Sequence, residues 1–168
     1  MRTEALIRQA QRGDAASREA LARAWLPPVY GVALGITGRA PDAEDVTQET
    51  FIRAFGALST LRRPSRFGPW IVQIARNVAR DQHRRARPVD LGDADAALAA
   101  RPEGLGSDEA TVHAWRRLPE DERLVVWLKV VDGMTIRAIA ELLDRSKSAV
   151  DRSLRRALES MRRELSRC

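Results

Sequence analysis

The sequence predicts an all-α protein made of two small helical domains joined by a flexible acidic linker. Aromatic residues make up only 5% of the 168 residues, while aliphatic residues and Ala are abundant, which favours helices over a β-sandwich. Apolar residues recur at helical spacing in both halves of the chain. Residues 1–85 carry a net charge of +6, residues 86–110 of −4 and residues 111–168 of +4. Two basic blocks on either side of an acidic segment are typical of two nucleic-acid-binding domains joined by a linker. We therefore place the domains at residues 1–85 and 111–168 and the linker at residues 86–110.

The beginning of the N-terminal domain predicts three helices. Two lie within residues 3–24, the second with Asp14 as its N-cap. We expect Pro27 and Pro28 to start or kink the third, over VYGVALGITG, whose small side chains allow close packing on neighbours. Asp42 is placed to cap the helix that follows.

That following helix, DAEDVTQETFIRAF, has two contrasting faces. Ala43, Val46, Thr50 and other small or apolar residues recur on one side, which should face the core. At about 100° per residue, the opposite side carries an acidic stripe with one aliphatic member. Its residues are Asp45, Gln48, Glu49 and Ile52. The stripe suits a partner-docking surface, and a solvated helix face is the alternative interpretation.

The next helix, PWIVQIARNVARDQHRR, is basic, with Ile71, Ile74, Ala75 and Val78 as its predicted core stripe. The opposite face consists of Gln73, Arg76, Asn77, Arg80 and Arg84. The loop before this helix adds candidate contacts at Arg62, Arg63, Ser65, Arg66 and Phe67. Cations next to aromatic rings suit single-stranded nucleic acid, whose phosphates pair with Arg and whose bases stack. For the nearby Trp70, a core position is the favoured interpretation.

The C-terminal block predicts a helix-turn-helix. A helix that starts near Pro119 ends at Gly133, and TIRAIAELL then leads through the turn Asp144–Ser146 into SAVDRSLRRALESMRREL. On the last helix we expect Val150, Leu154, Ala157, Leu158, Met161 and Leu165 to face inward. The candidate contacts to duplex DNA are Ser146, Lys147, Ser148, Arg152, Arg155 and Arg156. Arginines near the start of such a helix can pair with guanine edges or phosphates in the major groove.

These blocks resemble the extracytoplasmic-function (ECF) sigma factors of the sigma-70 superfamily. D-A-E-D-x-x-Q-E-x-F and W-I-x-x-I-A-R-N resemble the family's second region, and GMTIRAIAELLDRSKSAVDRSLRRALESMRREL its fourth. The resemblance implies that the acidic stripe docks on the clamp helices of the largest subunit of RNA polymerase. It further implies that residues 1–85 engage the melted downstream promoter element and residues 111–168 the upstream element. An anti-sigma factor holds many members inactive and is a further expected partner.

The sequence departs from the family's habits in its fourth region. Ala138 stands where the family often has Glu, and Asp144 where it often has Gly. Asp151 and Ser153 flank Arg152 where the family has a basic-Ser-Arg run. These departures bear on which bases are read at the upstream element.

Several classes of function lack any signal in the sequence. Cys168 is the only cysteine, His83 and His113 lack ligand spacing, and no phosphate-binding loop or nucleophile motif occurs. We therefore expect no enzyme activity, no cofactor and no metal. The charged N-terminus and the absence of long apolar runs predict a cytoplasmic protein without membrane insertion.

Two alternatives to a sigma factor stay open. A stand-alone helix-turn-helix regulator would bind a palindromic duplex tightly without polymerase. A polymerase-binding inhibitor that never reads promoters would not need Arg152, Arg155 and Arg156 on the last helix. In the sigma-factor interpretation, we expect the linker to leave the two domains unordered relative to each other, so that the free chain binds promoter duplex poorly until polymerase fixes their spacing.

Overall fold

The computed structural model describes residues 2–85 and 108–166, without the side chains of residues 2 and 83–85, and every regular element in these ranges is helical. The helices are α1 (Arg2–Gln11), α2 (Ala15–Thr37), α3 (Ala40–Ala57), α4 (Phe67–Arg85), α5 (Glu109–Arg116), α6 (Glu120–Val126), α7 (Ile136–Leu143) and α8 (Lys147–Leu165). Two 3-10 turns, Leu58–Thr60 and Pro64–Arg66, connect α3 to α4, and a π-turn, Trp127–Val131, continues α6. The predicted all-α fold in two helical regions is confirmed. Of the predicted linker, residues 86–107 lie outside the described ranges, and no helix within those ranges is long and apolar enough to cross a bilayer.

The start of α2 follows the sequence prediction, whereas the start of α3 does not. The Asp14 carboxylate accepts the Ser17 backbone N–H at 2.8 Å, which satisfies a donor that the first turn leaves unpaired. Asp42 was expected to cap α3, but the helix begins two residues earlier, at Ala40. Asp42 instead lies in the first turn, where its carboxylate is 3.4 Å from the Arg39 guanidinium and near the positive end of the helix dipole.

Helix α2 runs without a break through Pro27 and Pro28, so the prediction of two separate helices is wrong. Each proline lacks the N–H that would bond the carbonyl four residues earlier, which weakens an isolated helix at this point. Here α2 is the central helix of the fold, and it packs against α1, α3, α4 and α6. Burial against four neighbours offsets the missing hydrogen bonds, a tertiary effect that local propensity does not contain.

The two helical regions pack against each other, contrary to the expectation that they are unordered. Helix α2 lies against α6, and α4 lies against α7. One continuous cluster of buried apolar side chains extends from Ile7 in α1 to Met161 in α8. The arrangement places the surfaces that the sequence assigns to different partners within one body.

The helix-turn-helix has the predicted turn, and its caps explain why. Thr135 and Ser146 accept the backbone N–H groups of Ala138 and Ala149, at 3.1 and 3.2 Å, so they start α7 and α8. Asp144 ends α7 in the left-handed region, with φ of 53°. This backbone conformation suits the Gly that the family often has there, and Asp is among the few other residues that tolerate it.

The inward face of α8 differs from the prediction at three positions. Leu158 and Leu165, expected inside, are 43% and 39% exposed. Ser153 is 1% exposed, and its hydroxyl accepts a hydrogen bond from Arg145 at 3.1 Å. The departure from the family's basic run at Ser153 therefore falls on a buried position and not on the surface of the helix.

Candidate polymerase and nucleic-acid interfaces

The acidic stripe lies on the side of α3 that points away from the core. Asp45, Gln48 and Ile52 are exposed, and Ile52 is the most exposed large apolar side chain among the described residues, at 62%. Glu49 is half-buried because its carboxylate accepts from Arg53 at 2.6 Å, and Arg53 lies 3.9 Å from Asp81 on α4. The stripe is thus part of a shallow groove between α3 and α4 with alternating charge.

An apolar groove that the sequence interpretation missed borders this stripe. It lies between α2 and α3 and is lined mainly by Leu26, Pro27, Tyr30, Phe51 and Phe55, with Gln48 and Ile52 at the shared edge. The Phe51 and Phe55 rings stack with centroids 5.9 Å apart. Leu26 and Tyr30 are four residues apart, a spacing that places them on one face of a helix. The sequence interpretation did not use this spacing because it assumed that the helix breaks at Pro27 and Pro28.

In the loop before α4, the polar residues that we expected to contact nucleic acid are exposed, whereas the aromatic one is buried. Arg62, Arg63, Ser65 and Arg66 are exposed. Phe67, predicted as a DNA contact, is 1% exposed and packs between Trp25 and Trp70, with ring centroids 5.3 and 5.8 Å away. In this structure Phe67 anchors the start of α4 and cannot stack on a base, whereas Trp70 is partly buried beside it.

Of the predicted basic face of α4, Gln73, Asn77 and Arg80 are exposed, and carboxylates from the C-terminal region pair with its arginines. Gln73 and Asn77 are exposed and share a side-chain hydrogen bond of 3.1 Å. Arg76 lies 3.3 Å from Asp121, and Arg80 lies 3.6 Å from Glu120. The side chain of Arg84 lies outside the described residues.

The first two turns of α8 present the predicted upstream contacts to solvent. Lys147, Ser148 and Arg152 are exposed, and Ser146 is both the N-cap and a hydrogen-bond partner of Ser148 at 3.2 Å. Arg155 pairs with Asp151 one turn earlier on the same helix, and Arg156 lies 3.3 Å from Glu122 on α6. The three arginines therefore differ, because two have carboxylate partners that DNA would have to replace.

Arg123 is a structural link between the two halves of the chain that the sequence interpretation missed altogether. Its half-buried guanidinium donates to the carbonyls of Gly35 and Ile36 at 2.8 and 3.0 Å, and to those of Arg116 and Leu118 at 3.1 and 3.0 Å. Burial lowers the pKa of this guanidinium, while nearby Glu120 favours its charged form. The last carbonyls of α2 lack partners within their helix, so Arg123 closes the end of α2 from the other half of the chain. No local pattern in the sequence marks such a contact.

Two protein-family descriptions match separate parts of the chain. "Sigma-70 region 2" matches residues 21–89. This range holds the acidic stripe, the basic face of α4 and the loop before α4 with Arg62, Arg63, Ser65 and Arg66, which we call the arginine loop. "Sigma-70, region 4" matches residues 108–161, which hold the helix-turn-helix.

Two curated relatives match across most of the chain. The chain is 36% identical over 149 residues to the probable RNA polymerase sigma factor RfaY of Xanthomonas campestris pv. campestris, an alignment that covers 82% of this chain and 37% of RfaY. It is 34% identical over 137 residues to the ECF RNA polymerase sigma-E factor of Salmonella typhimurium, with 71% of this chain and 72% of that protein covered.

Solved structures share the arrangement of helices. CnrH, in the structure of its complex with the cytosolic domain of CnrY, matches with a TM-score of 0.70 and 25% identity, over 98% of this chain and 97% of that chain. The sigma factor RpoE of Bartonella quintana, in complex with the anti-sigma factor NepR, matches with a TM-score of 0.65 and 22% identity, over 88% of this chain and 96% of that chain. The second likeness bears on the fold alone.

Proposed function

The chain belongs to the ECF sigma factors of the sigma-70 family, RNA polymerase subunits that direct transcription initiation, and we propose how its surfaces divide that work. Residues 1–85 dock on core polymerase and hold the downstream promoter element. Residues 111–168 read the upstream element with α8. The chain itself performs no catalytic step, since RNA synthesis belongs to the polymerase, and it acts where the polymerase does, in the cytoplasm.

The docking surface is the acidic stripe of α3. Asp45 and Gln48 offer polar groups around the exposed Ile52, and the apolar groove beside them widens the surface. Exposed apolar side chains with polar residues around them are typical of protein interfaces. The partner that the family relation implies is the pair of clamp helices in the largest polymerase subunit. An anti-sigma factor, a partner that the family resemblance implies, would compete with core polymerase if it covered the same groove. The 25% identical CnrH was solved with a protein partner bound, the cytosolic domain of CnrY.

The downstream element is proposed to lie along the arginine loop and α4. Arg62, Arg63 and Ser65 are exposed on the loop, and Gln73 and Asn77 continue the surface on α4. Guanidinium groups pair with phosphates, and amide groups can bond the edges of unstacked bases. Because Phe67 is buried, capture of the melted strand depends on these polar groups and not on stacking upon that ring.

The upstream element is proposed to lie against the first two turns of α8. The N-terminal end of a recognition helix is the part that enters the major groove. Arg152 is the candidate for direct base readout, because it is exposed there. Lys147 and Ser148 are the candidates for phosphate contacts that fix the register of the helix.

Reversing the charge of the stripe tests the docking assignment. Asp45→Arg together with Glu49→Arg should weaken binding to core polymerase by at least about 30-fold, the equivalent of roughly 2 kcal/mol at a central interface position. The fold should survive, because both side chains lie opposite the buried face of α3. Co-purification with core enzyme measures binding, and circular dichroism checks the fold.

Glu4→Arg together with Glu141→Arg is the matched control, since it makes the same change in net charge at two positions away from the stripe, whose side chains are 47% and 68% exposed. The control should bind core polymerase as the wild type does. Equal binding by the folded Asp45/Glu49 variant would refute the assignment of the stripe.

A further inference from the structure

The surface proposed for the downstream element is partly covered by the chain's own C-terminal region. Only 16% of the Arg76 side chain is exposed, and Asp121 in the first turn of α6 lies 3.3 Å from its guanidinium. One turn further along α4, Arg80 meets Glu120 at 3.6 Å. On the loop, Arg66 donates to Asp144 at 3.1 Å. Three arginines of the proposed nucleic-acid surface thus have carboxylate partners from the other half of the chain.

These carboxylates occupy the places where phosphate oxygens would sit. Guanidinium groups bind carboxylates and phosphates through the same N–H donors and with similar geometry. Glu120, Asp121 and Glu122 form an acidic first turn of α6, where the helix dipole stabilises their charge. A nucleic-acid strand along α4 and the acidic turn of α6 therefore exclude each other.

The contact between α2 and α6 holds the acidic turn in this place. Each of these three ion pairs has at least one partner whose side chain is more than half exposed, so each is weak individually and a tighter contact must fix the two halves. A Cβ atom on Gly35 would lie 2.8 Å from Leu124 Cα, and one on Gly31 would lie 2.4 Å from the Trp127 ring. The two glycines allow α2 and α6 to approach closely, and Arg123 then bonds the last carbonyls of α2 across the contact.

We propose that the free chain is autoinhibited in this closed form, with the acidic turn of α6 standing in for nucleic acid on the basic face of α4. The α2–α6 contact keeps it closed. Opening separates the two halves and exposes Arg76 and Arg80 to the promoter strand. The acidic stripe of α3 is accessible in the closed form, so polymerase can engage the chain before it opens. This inference rests on the proposed role of α4 in binding nucleic acid.

Gly35→Ala tests the closed form directly. The three heavy atoms nearest to the added Cβ all belong to Leu124, two of them to its backbone, so the methyl group cannot be accommodated unless α6 moves away. Within α2 itself, Ala is a better helix former than Gly. Gly56→Ala on α3 is the matched control, because nothing lies within 4 Å of its added Cβ.

Two measurements follow on the full-length chains. Small-angle X-ray scattering should give wild type and Gly56→Ala a compact radius of gyration, about 15 Å for a chain of this length, and Gly35→Ala a larger one. Fluorescence anisotropy with a labelled single-stranded DNA of about 15 nucleotides reports access to α4. If the closed form is about 90% populated, opening should raise the affinity about tenfold. Unchanged scattering and affinity for Gly35→Ala would overturn the proposal.

A second pair of variants tests the acidic turn while leaving Gly31, Gly35 and Leu124 of the α2–α6 contact unchanged. Glu120→Gln together with Asp121→Asn should raise the affinity for the same DNA at least about fivefold, beyond any general effect of net charge. Glu141→Gln together with Glu159→Gln makes the same charge change on α7 and α8 and is the control. Equal affinities of the two double variants would show that the Glu120 and Asp121 carboxylates do not block nucleic-acid binding to α4, and would overturn the proposal.

Core-polymerase binding separates this proposal from the proposed function. All of these variants retain the α3 stripe and should co-purify with core enzyme like the wild type. If the wild type also fails to bind core polymerase, the proposed function is refuted, whereas normal core binding with no gain in DNA affinity refutes the closed form alone.

Discussion

Arg123 offers a quantitative test of how the two halves are joined. Its guanidinium donates four hydrogen bonds, two to the end of α2 and two to carbonyls around the end of α5. Each such bond contributes about 1 kcal/mol net, and a carbonyl that loses its donor inside the protein costs more. Arg123→Met keeps the aliphatic packing and removes all four bonds. With a discount for the exposed part of the group, we expect a loss of about 3 kcal/mol in the free energy of unfolding.

Urea unfolding followed by circular dichroism measures this loss, and thermal unfolding should show a decrease in Tm of about 6–12 °C for a chain of this size. Arg137→Met is the matched control, because the Arg137 side chain is 73% exposed and its only ion-pair partner within residues 2–85 and 108–166 is Glu141 on its own helix, at 2.9 Å. The control should change stability by less than about 0.5 kcal/mol. A change that small in Arg123→Met would refute the assignment of Arg123 as the link between the halves.

Two further predictions concern single side chains. Arg152→Ala should cost roughly 1–3 kcal/mol in holoenzyme binding to its promoter and relax selection at one base pair. Lys147→Ala should instead weaken binding to all sequences alike and reduce the salt dependence of binding by about one unit of slope. Binding of holoenzyme to a promoter library at two salt concentrations measures both effects. Burial raises the pKa of Asp132 to about 6, partly offset by the Trp127 indole N–H, so this carboxyl stabilises the fold below pH 4 and the contribution is lost as the pH rises through 6. Because the carboxyl is only half-buried, solvent screening reduces the effect, and Asp132→Asn should be more stable than the wild type at pH 7 by about 1–2 kcal/mol and no more stable near pH 3.5, in urea unfolding at both values.

Local signals predicted the helix-turn-helix well. The caps Thr135 and Ser146 and the three-residue turn between α7 and α8 depend on neighbouring residues, which a reader of the sequence can see. The exposed stripe of α3 was likewise predictable, because its residues follow helical periodicity. The inward face of α8 was less so, since the hydroxyl of Ser153 is buried with a partner from the turn, Arg145.

Contacts between distant parts of the chain were not predictable in the same way. Small side chains indicated that the second half of α2 packs closely, but not that its partner is α6. The continuity of α2 through two prolines and the bonds of Arg123 to Gly35 and Ile36 depend on that packing. A single sequence does not indicate which helix surfaces pack together, so the packing of α2 on α6 and of α4 on α7 could be seen only in the structure.

Run-off transcription with purified core polymerase tests the central claim most directly. On a template that carries the chain's own promoter, we expect a discrete transcript only when core enzyme and this chain are both present, with permanganate-reactive thymines marking the melted downstream element. A stand-alone regulator would instead bind a palindromic duplex with nanomolar affinity and give no transcript with core enzyme. That result, or inhibition of transcription already under way without any promoter selection, would contradict the assignment of this chain as the promoter-recognition subunit.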